Sequence, residues 1–268
     1  MLIDYHMHTT FSADSVVEPR QAIERAIEMG FEEITITDHM DILPAEIHDD
    51  THILDAERYF PTLESLQKEY QSELTINIGV EVGLNPGVLD LCSNFVRSYP
   101  FDFVIASLHR LNCQSLRNQE YLQSFGGKAG LYCTYYQTLS ELLDGFDDFD
   151  VCGHIDFIRR VMPYQYESDD YHIGREIVDN LLKKLIARGK GIEINTSGLR
   201  HYSHATIPHL PIVSRYHELG GEILTVGADS HRIPHVGYGL KEVIMMLPSL
   251  GITKLSTFKQ RQVSFHQL

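Results

Sequence analysis

The feature that most constrains this chain is an alternation, sustained from end to end, of short β-branched apolar runs with longer stretches of helical period. The apolar runs lie at 2–6 (LIDYH), 32–37 (EEITIT), 73–82 (ELTINIGVEV), 101–109 (FDFVIASLH), 149–155 (FDVCGHI), 189–196 (GKGIEINT) and 222–229 (EILTVGAD). Between them the period changes. EPRQAIERAIEMG (18–30) puts Pro19 in a first turn, Ala22, Ile23, Ala26 and Ile27 on one face, and Gly30 at the stop. The stretch 169–191 sets Ile177, Leu181, Leu182 and Leu185 on one face and ends in a basic turn before Gly189. Further helices are expected near 55–70, 88–98, 131–144, 208–219 and 237–248.

Strand and helix alternating in this way imply a parallel sheet with helical crossovers. Seven such units predict an α/β fold of one kind, a distorted seven-stranded (β/α)7 TIM-like barrel, with functional groups at the carboxyl ends of its strands. No interior linker, repeat or low-complexity tract divides the 268 residues, so one domain spanning 1–268 is expected. With 43% hydrophobic and 22% charged residues the chain has the makings of an ordinary core. A net charge of -15 argues against a nucleic-acid partner held through a broad basic surface. Cys92, Cys113, Cys133 and Cys152 form no CxxC pair and read as free thiols. With no leader and no run near the roughly eighteen apolar residues of a membrane span, a cytoplasmic enzyme with no membrane partner is expected.

The chemically able residues gather at the predicted strand ends. His6 and His8 stand two apart at the end of the first strand, where a period of two turns both imidazoles to one face. Asp38 and His39 end the second. Glu81 sits inside the apolar run of the third, where a lone carboxylate costs several kcal/mol, on the order of 5, unless a cation compensates it. His109 ends the fourth, His154 and Asp156 the fifth, Asp229 and His231 the seventh. Any one of these could be a core or rim residue, but six strand ends out of seven make a shared site. Imidazole and carboxylate without thiolate suit Zn, Mn or Fe. Nine candidate ligands, His6, His8, Asp14, His39, Glu81, His109, His154, Asp229 and His231, are enough for two or three divalent ions, with Glu81 the natural bridge. Asp14, in SADS, could equally cap the first helix.

An anionic substrate needs donors. Arg160, just past the fifth strand, and Arg117, after the fourth, are candidate phosphate clamps, and Asn195 and Ser197 can donate at the end of the sixth. That sixth strand offers no evident ligand. Arg110, Arg159 and Arg200 read as surface arginines. Of the other histidines, His48 with His52 and His201 with His204 lie in loops that can approach a substrate, while His172, His209, His217, His235 and His266 read as ordinary.

DYHMHTTFS (4–12), ITDH (36–39), GVEVG (79–83), SLH (107–109), GHID (153–156) and GADSH (227–231), in that order, resemble the polymerase-and-histidinol-phosphatase (PHP) family of metal-dependent phosphoesterases, and within it the L-histidinol-phosphate phosphatases most closely. The resemblance implies a trinuclear centre. His6, His8, Glu81 and Asp229 would hold one ion, Glu81, His109 and His154 a second, and Asp14, His39 and His231 a third; some relatives have histidine where this chain has Asp14. It further implies hydrolysis of L-histidinol phosphate to L-histidinol and phosphate in histidine biosynthesis. A metal-activated water would attack phosphorus in line, Arg160 would neutralise the phosphoryl oxygens and Asp229 would accept the water's proton. Competing expectations are a protein-tyrosine phosphatase or other phosphomonoesterase on the same barrel, and a non-catalytic metal-binding module.

Overall fold

The computed structural model describes residues 1–47, 52–165, 167, 170, 172–201 and 204–268, so His48 lies outside the described residues. Seven parallel strands form the wall: β1 (Ile3–Asp4), β2 (Glu33–Ile36), β4 (Thr75–Gly83), β5 (Phe103–Ser107), β8 (Val151–Cys152), β9 (Gly191–Asn195) and β10 (Leu224–Gly227), paired in that order. The ring closes between first and last strands through backbone bonds from Tyr5 N–H to Val226 O, Asp229 N–H to His6 O and His8 N–H to Ser230 O. β3 (His39–Asp41) continues the second strand after a break and pairs with the far end of β4, setting His39 opposite Glu81 and Asp41 opposite Gly83.

The crossover helices follow the sequence pattern closely. α1 (Pro19–Glu28) starts on Pro19, where a missing N–H costs nothing, and buries Ala22, Ile23 and Ala26. α2 (Ala56–Tyr70) is capped by Asp55, whose carboxylate accepts the Arg58 N–H. α3 (Leu89–Ser98), α5 (Lys128–Asp144), α7 (Arg175–Ala187), α8 (Leu210–Glu218) and α9 (Leu240–Met246) occupy the remaining expected stretches. In α7 it is Val178, not Ile177, that joins Leu181, Leu182 and Leu185 in the core.

Several short elements were not expected: a ribbon of β6 (Arg110–Leu111) and β7 (Gln114–Ser115), the single turns α4 (Gln119–Gln123) and α6 (Ile158–Val161), and a C-terminal hairpin of β11 (Lys254–Lys259) and β12 (Gln262–Gln267). The ribbon and α6 lie where the chain leaves β5 and β8, beside the mouth. The hairpin lies at the opposite end. There Ser256 Oγ accepts the Leu224 N–H, Phe258 N–H reaches Tyr5 Oη, Lys259 pairs with Asp102 at 2.8 Å and Arg261 with Asp150 at 2.5 Å. Among the described residues, no helix is long and apolar enough to cross a membrane.

Candidate metal centre

At the carboxyl end of the barrel the sequence-predicted side chains meet. His6 and His8 follow β1 and bring their Nε2 atoms within 3.0 Å of each other. Their Nδ1 atoms are occupied elsewhere, His6 with Glu193 Oε1 at 2.6 Å and His8 with Ser12 Oγ at 3.1 Å. Ser12 in turn donates to Asp38 at 2.6 Å. Two rings so engaged behind leave both Nε2 atoms turned toward one point, where a single cation could take them as ligands.

Glu81, near the end of β4 and 1% exposed, is the hub. Its Oε2 lies 3.2, 3.4 and 3.0 Å from His6, His8 and His39, and its Oε1 lies 3.2 and 2.8 Å from His109 and His154. One carboxylate therefore touches five imidazoles. Oε2 makes no hydrogen bond of good geometry to any of them, as an oxygen aimed at a shared cation would behave. Donor atoms that lie close enough to share an ion include His6, His8 and Glu81; Glu81, His109 and His154; and His8, His39 and His231. Asp14 closes the last group, 3.4 Å from His231 and 3.7 Å from His39. Asp229 stands 3.9 Å from His6 and 3.5 Å from both His8 and His231.

The metal-free electrostatics follow from this crowding. Burial pushes the Glu81 and Asp229 carboxyls up, but the surrounding imidazoles, with Arg160 beside Asp229, hold both well below the usual carboxylate range. Burial opposes charge on His6, yet Glu193, Glu81 and Asp229 raise it well above an ordinary histidine. His8 goes the other way, driven well down by burial and by His39 and His231. All nine expected ligands share one cluster, whose imidazoles and carboxylates have the chemistry of a divalent-metal site.

Around the cluster a cavity of about 290 Å³ is lined by Arg110, Arg117, His52, Phe157 and Arg160 among others. Arg160 lies 3.3 Å from Asp229, donates to Ser197 Oγ at 3.1 Å and stacks over Phe157. Arg117 is well exposed and 3.7 Å from Asp14. Asn195 is fully buried, with Nδ2 3.3 Å from Glu193 and Oδ1 accepting the Ser197 N–H. An adjoining recess holds His201, pushed down to about 4 by burial, Arg160 and Arg200, whereas His204 is exposed.

The readings of Arg159 and Arg200 need correction, and two bracing residues, Glu193 and Asp41, were missed. The sixth strand is not silent: Glu193 on β9 braces His6 and accepts the His154 N–H at 2.8 Å. The signal was available, since Glu193 is a carboxylate inside an apolar run, as Glu81 is. Neither Arg159 nor Arg200 is a surface residue. Arg159 is 7% exposed and paired with buried Asp156, and Arg200 donates to the carbonyls of Ala228 and Asp229, securing an aspartate with a left-handed φ of 51°. Asp41 was missed altogether. It is buried, 3.1 Å from His109 Nδ1, in space that a side chain at Gly83 would fill, because a Cβ there would lie 1.3 Å from Asp41 Oδ1.

Comparison with known proteins shows the family and the fold. The model of the PHP domain family matches residues 4–197. A histidinol-phosphatase of Lactococcus lactis is 30% identical over 97% of this chain and 96% of its own length, and a probable histidinol-phosphatase of Clostridium acetobutylicum is 30% identical over 99% and 100%. The crystal structure of the histidinol phosphate phosphatase of Lactococcus lactis, complexed with zinc, L-histidinol and phosphate, superposes with a TM-score of 0.89 at 28% identity, covering 98% of both chains. A family model spanning well over half the sequence and a relative 30% identical over nearly its full length lead to one conclusion: this chain belongs to the PHP domain family.

Proposed function

We propose that this chain is a metal-dependent histidinol-phosphatase, hydrolysing L-histidinol phosphate to L-histidinol and inorganic phosphate in histidine biosynthesis. The observation that carries the chemistry is the single carboxylate of Glu81 set among five imidazoles at the barrel mouth. The full-length likeness to histidinol-phosphatases supports the substrate. Two or three ions of the Zn, Mn or Fe type fit the donors: His6, His8, Glu81 and Asp229 for one, Glu81, His109 and His154 for another, and Asp14, His39 and His231 for a third. When bound, they supply positive charge against the phosphoryl oxygens and lower the pKa of a nucleophilic water.

The chain's own residues do the rest. Arg160, steadied by Phe157 and Ser197, offers a planar fork to the phosphate, and Arg117 adds charge from the rim. Ser197 can donate a further hydrogen bond, with Asn195 fixing its backbone from behind. Asp229, beside Arg160 and within 3.5 Å of His8 and His231, is placed to take a proton from the attacking water. The ester P–O bond breaks, the water oxygen ends on phosphorus, and the leaving alcohol gains a proton. The barrel continues past the matched segment through β10 and closes on β1, which supports reading 1–268 as one PHP-type unit. Free thiols at Cys92, Cys113, Cys133 and Cys152 suit a cytoplasmic setting. Steady-state phosphate release from L-histidinol phosphate, compared with phosphotyrosine and nucleoside monophosphates, tests the assignment. Histidinol phosphate should have the highest kcat/KM; a ranking led by phosphotyrosine would replace this reading with that of a tyrosine phosphatase.

A further inference from the structure

Glu193 lies on β9, 1% exposed, and belongs to none of the motifs that mark the family resemblance. Both of its oxygens are engaged. Oε1 sits 2.6 Å from His6 Nδ1, while Oε2 accepts the backbone N–H of His154 at 2.8 Å and faces the Asn195 amide at 3.3 Å. The slot it fills depends on a neighbouring glycine: a Cβ at Gly227 would fall 2.5 Å from Oε1 and 2.3 Å from His6 Cβ. A carboxylate only accepts, so the ring nitrogen facing it must carry the proton. With Nδ1 committed to Glu193, Nε2, 3.2 Å from Glu81 Oε2 and 3.0 Å from His8 Nε2, is the nitrogen His6 can offer to a cation.

We infer that Glu193 is a positioning residue for the metal centre: it holds His6 in the Nδ1–H tautomer, so that Nε2 is a ligand, and ties the backbone of His154 to the same carboxylate. The inference rests on the metal-centre reading above. It joins donors from two strand ends, His6 after β1 and His154 after β8, that serve different ions in the proposed assignment. One buried side chain thereby sets the spacing between two halves of the cluster. Hydrogen-bonded partners behind a histidine ligand fix its ring and tautomer and are worth about ten- to a hundred-fold in metal affinity.

Glu193→Gln tests this with almost no change of volume. The carboxamide has one acceptor where two are needed. If its oxygen keeps His6, its NH2 opposes the His154 N–H; if it keeps His154, its NH2 faces His6 Nδ1 and drives the ring to the Nε2–H tautomer, which cannot ligate through Nε2. In the full-length chain, zinc affinity measured by competition with a chromophoric chelator should fall about ten- to a hundred-fold for at least one ion, while the metal-free circular dichroism spectrum stays that of wild type. Long-range ¹H–¹⁵N spectra of the histidines should show His6 as Nδ1–H in zinc-loaded wild type. Unchanged zinc affinity in Glu193→Gln, or an Nε2–H His6 in the wild type, overturns the inference. If the variant does not fold, the wild-type tautomer alone decides. Wild-type protein that takes up no zinc and releases no phosphate from histidinol phosphate would instead remove the functional reading and this inference with it; wild-type activity beside an unaffected variant removes only the role of Glu193.

Discussion

Replacing Glu81 by glutamine exchanges one carboxylate oxygen for an NH2 group where five imidazoles meet. Oε2 faces His6, His8 and His39; Oε1 faces His109 and His154 and also accepts the Ser107 hydroxyl at 2.6 Å. A carboxamide can turn its oxygen toward only one set, and the other then meets a group that cannot ligate a cation. Since a partner behind a ligand is worth up to about a hundred-fold in affinity, losing the anionic ligand itself should cost at least about 100-fold, or about 2.7 kcal/mol. By linkage, that amount leaves the metal-dependent part of the stability. At about 2–4 °C per kcal/mol for a chain of this size, the metal-loaded unfolding midpoint should fall by about 5–11 °C. Differential scanning fluorimetry of wild type and Glu81→Gln, each with excess zinc or manganese and with EDTA, reads the effect as a narrowed gap between the two conditions. A variant with the wild-type gap, or one lowered equally in both conditions, would show that Glu81 serves packing and not ion binding.

Gly83→Ala should displace the Asp41 carboxylate, whose Oδ1 a Cβ would overlap at 1.3 Å, and with it His109; kcat/KM for phosphate release should drop about 100-fold, with added metal restoring part of the loss. Arg261→Ala leaves Asp150, 8% exposed, with the Val104 N–H and the charge of Lys190 but no ion-pair partner, and should cost about 2 kcal/mol in urea unfolding without changing metal content. His209 is pushed down to about 4 by burial and then by Arg159, so the unfolded chain binds a proton in a window where the folded one does not. Stability should therefore decline as pH falls from about 6.5 to about 4, by at most about 1 kcal/mol after solvent screening, and His209→Gln should flatten that part of a stability–pH curve.

Much of the barrel was legible because its strands and crossover helices obey local periodicity. β4 is a long apolar run and α1 carries both a start and a stop signal, so neither depends on distant context. The C-terminal hairpin was not legible for a specific reason. Its turn residues, Gln260 and Arg261, both adopt positive φ (49° and 64°) without glycine, asparagine or aspartate to announce it. What holds that turn is Asp102, which accepts the Gln260 N–H through its side chain and the Arg261 N–H through its carbonyl, from more than 150 residues away in sequence. The alternation in KLSTFK and QVSFHQ is present, but a strand pair without a turn signal is easily passed over.

For the site the division is similar. The order and residue type of the donors, His6 and His8, His39, Glu81, His109, His154, Asp229 and His231, were determined by sequence alone, because strand ends of a parallel barrel must share one mouth and imidazole with carboxylate suits few other tasks. Which atoms face inward was decided only by the tertiary structure. Glu193 and Asp41 carry no spacing signal toward the histidines they brace; His6 meets Glu193 across 187 residues and His109 meets Asp41 across 68. Supporting hydrogen bonds of this kind depend on the stagger between neighbouring strands and on glycines that leave room, Gly227 and Gly83, and such distances exist only once the ring has closed.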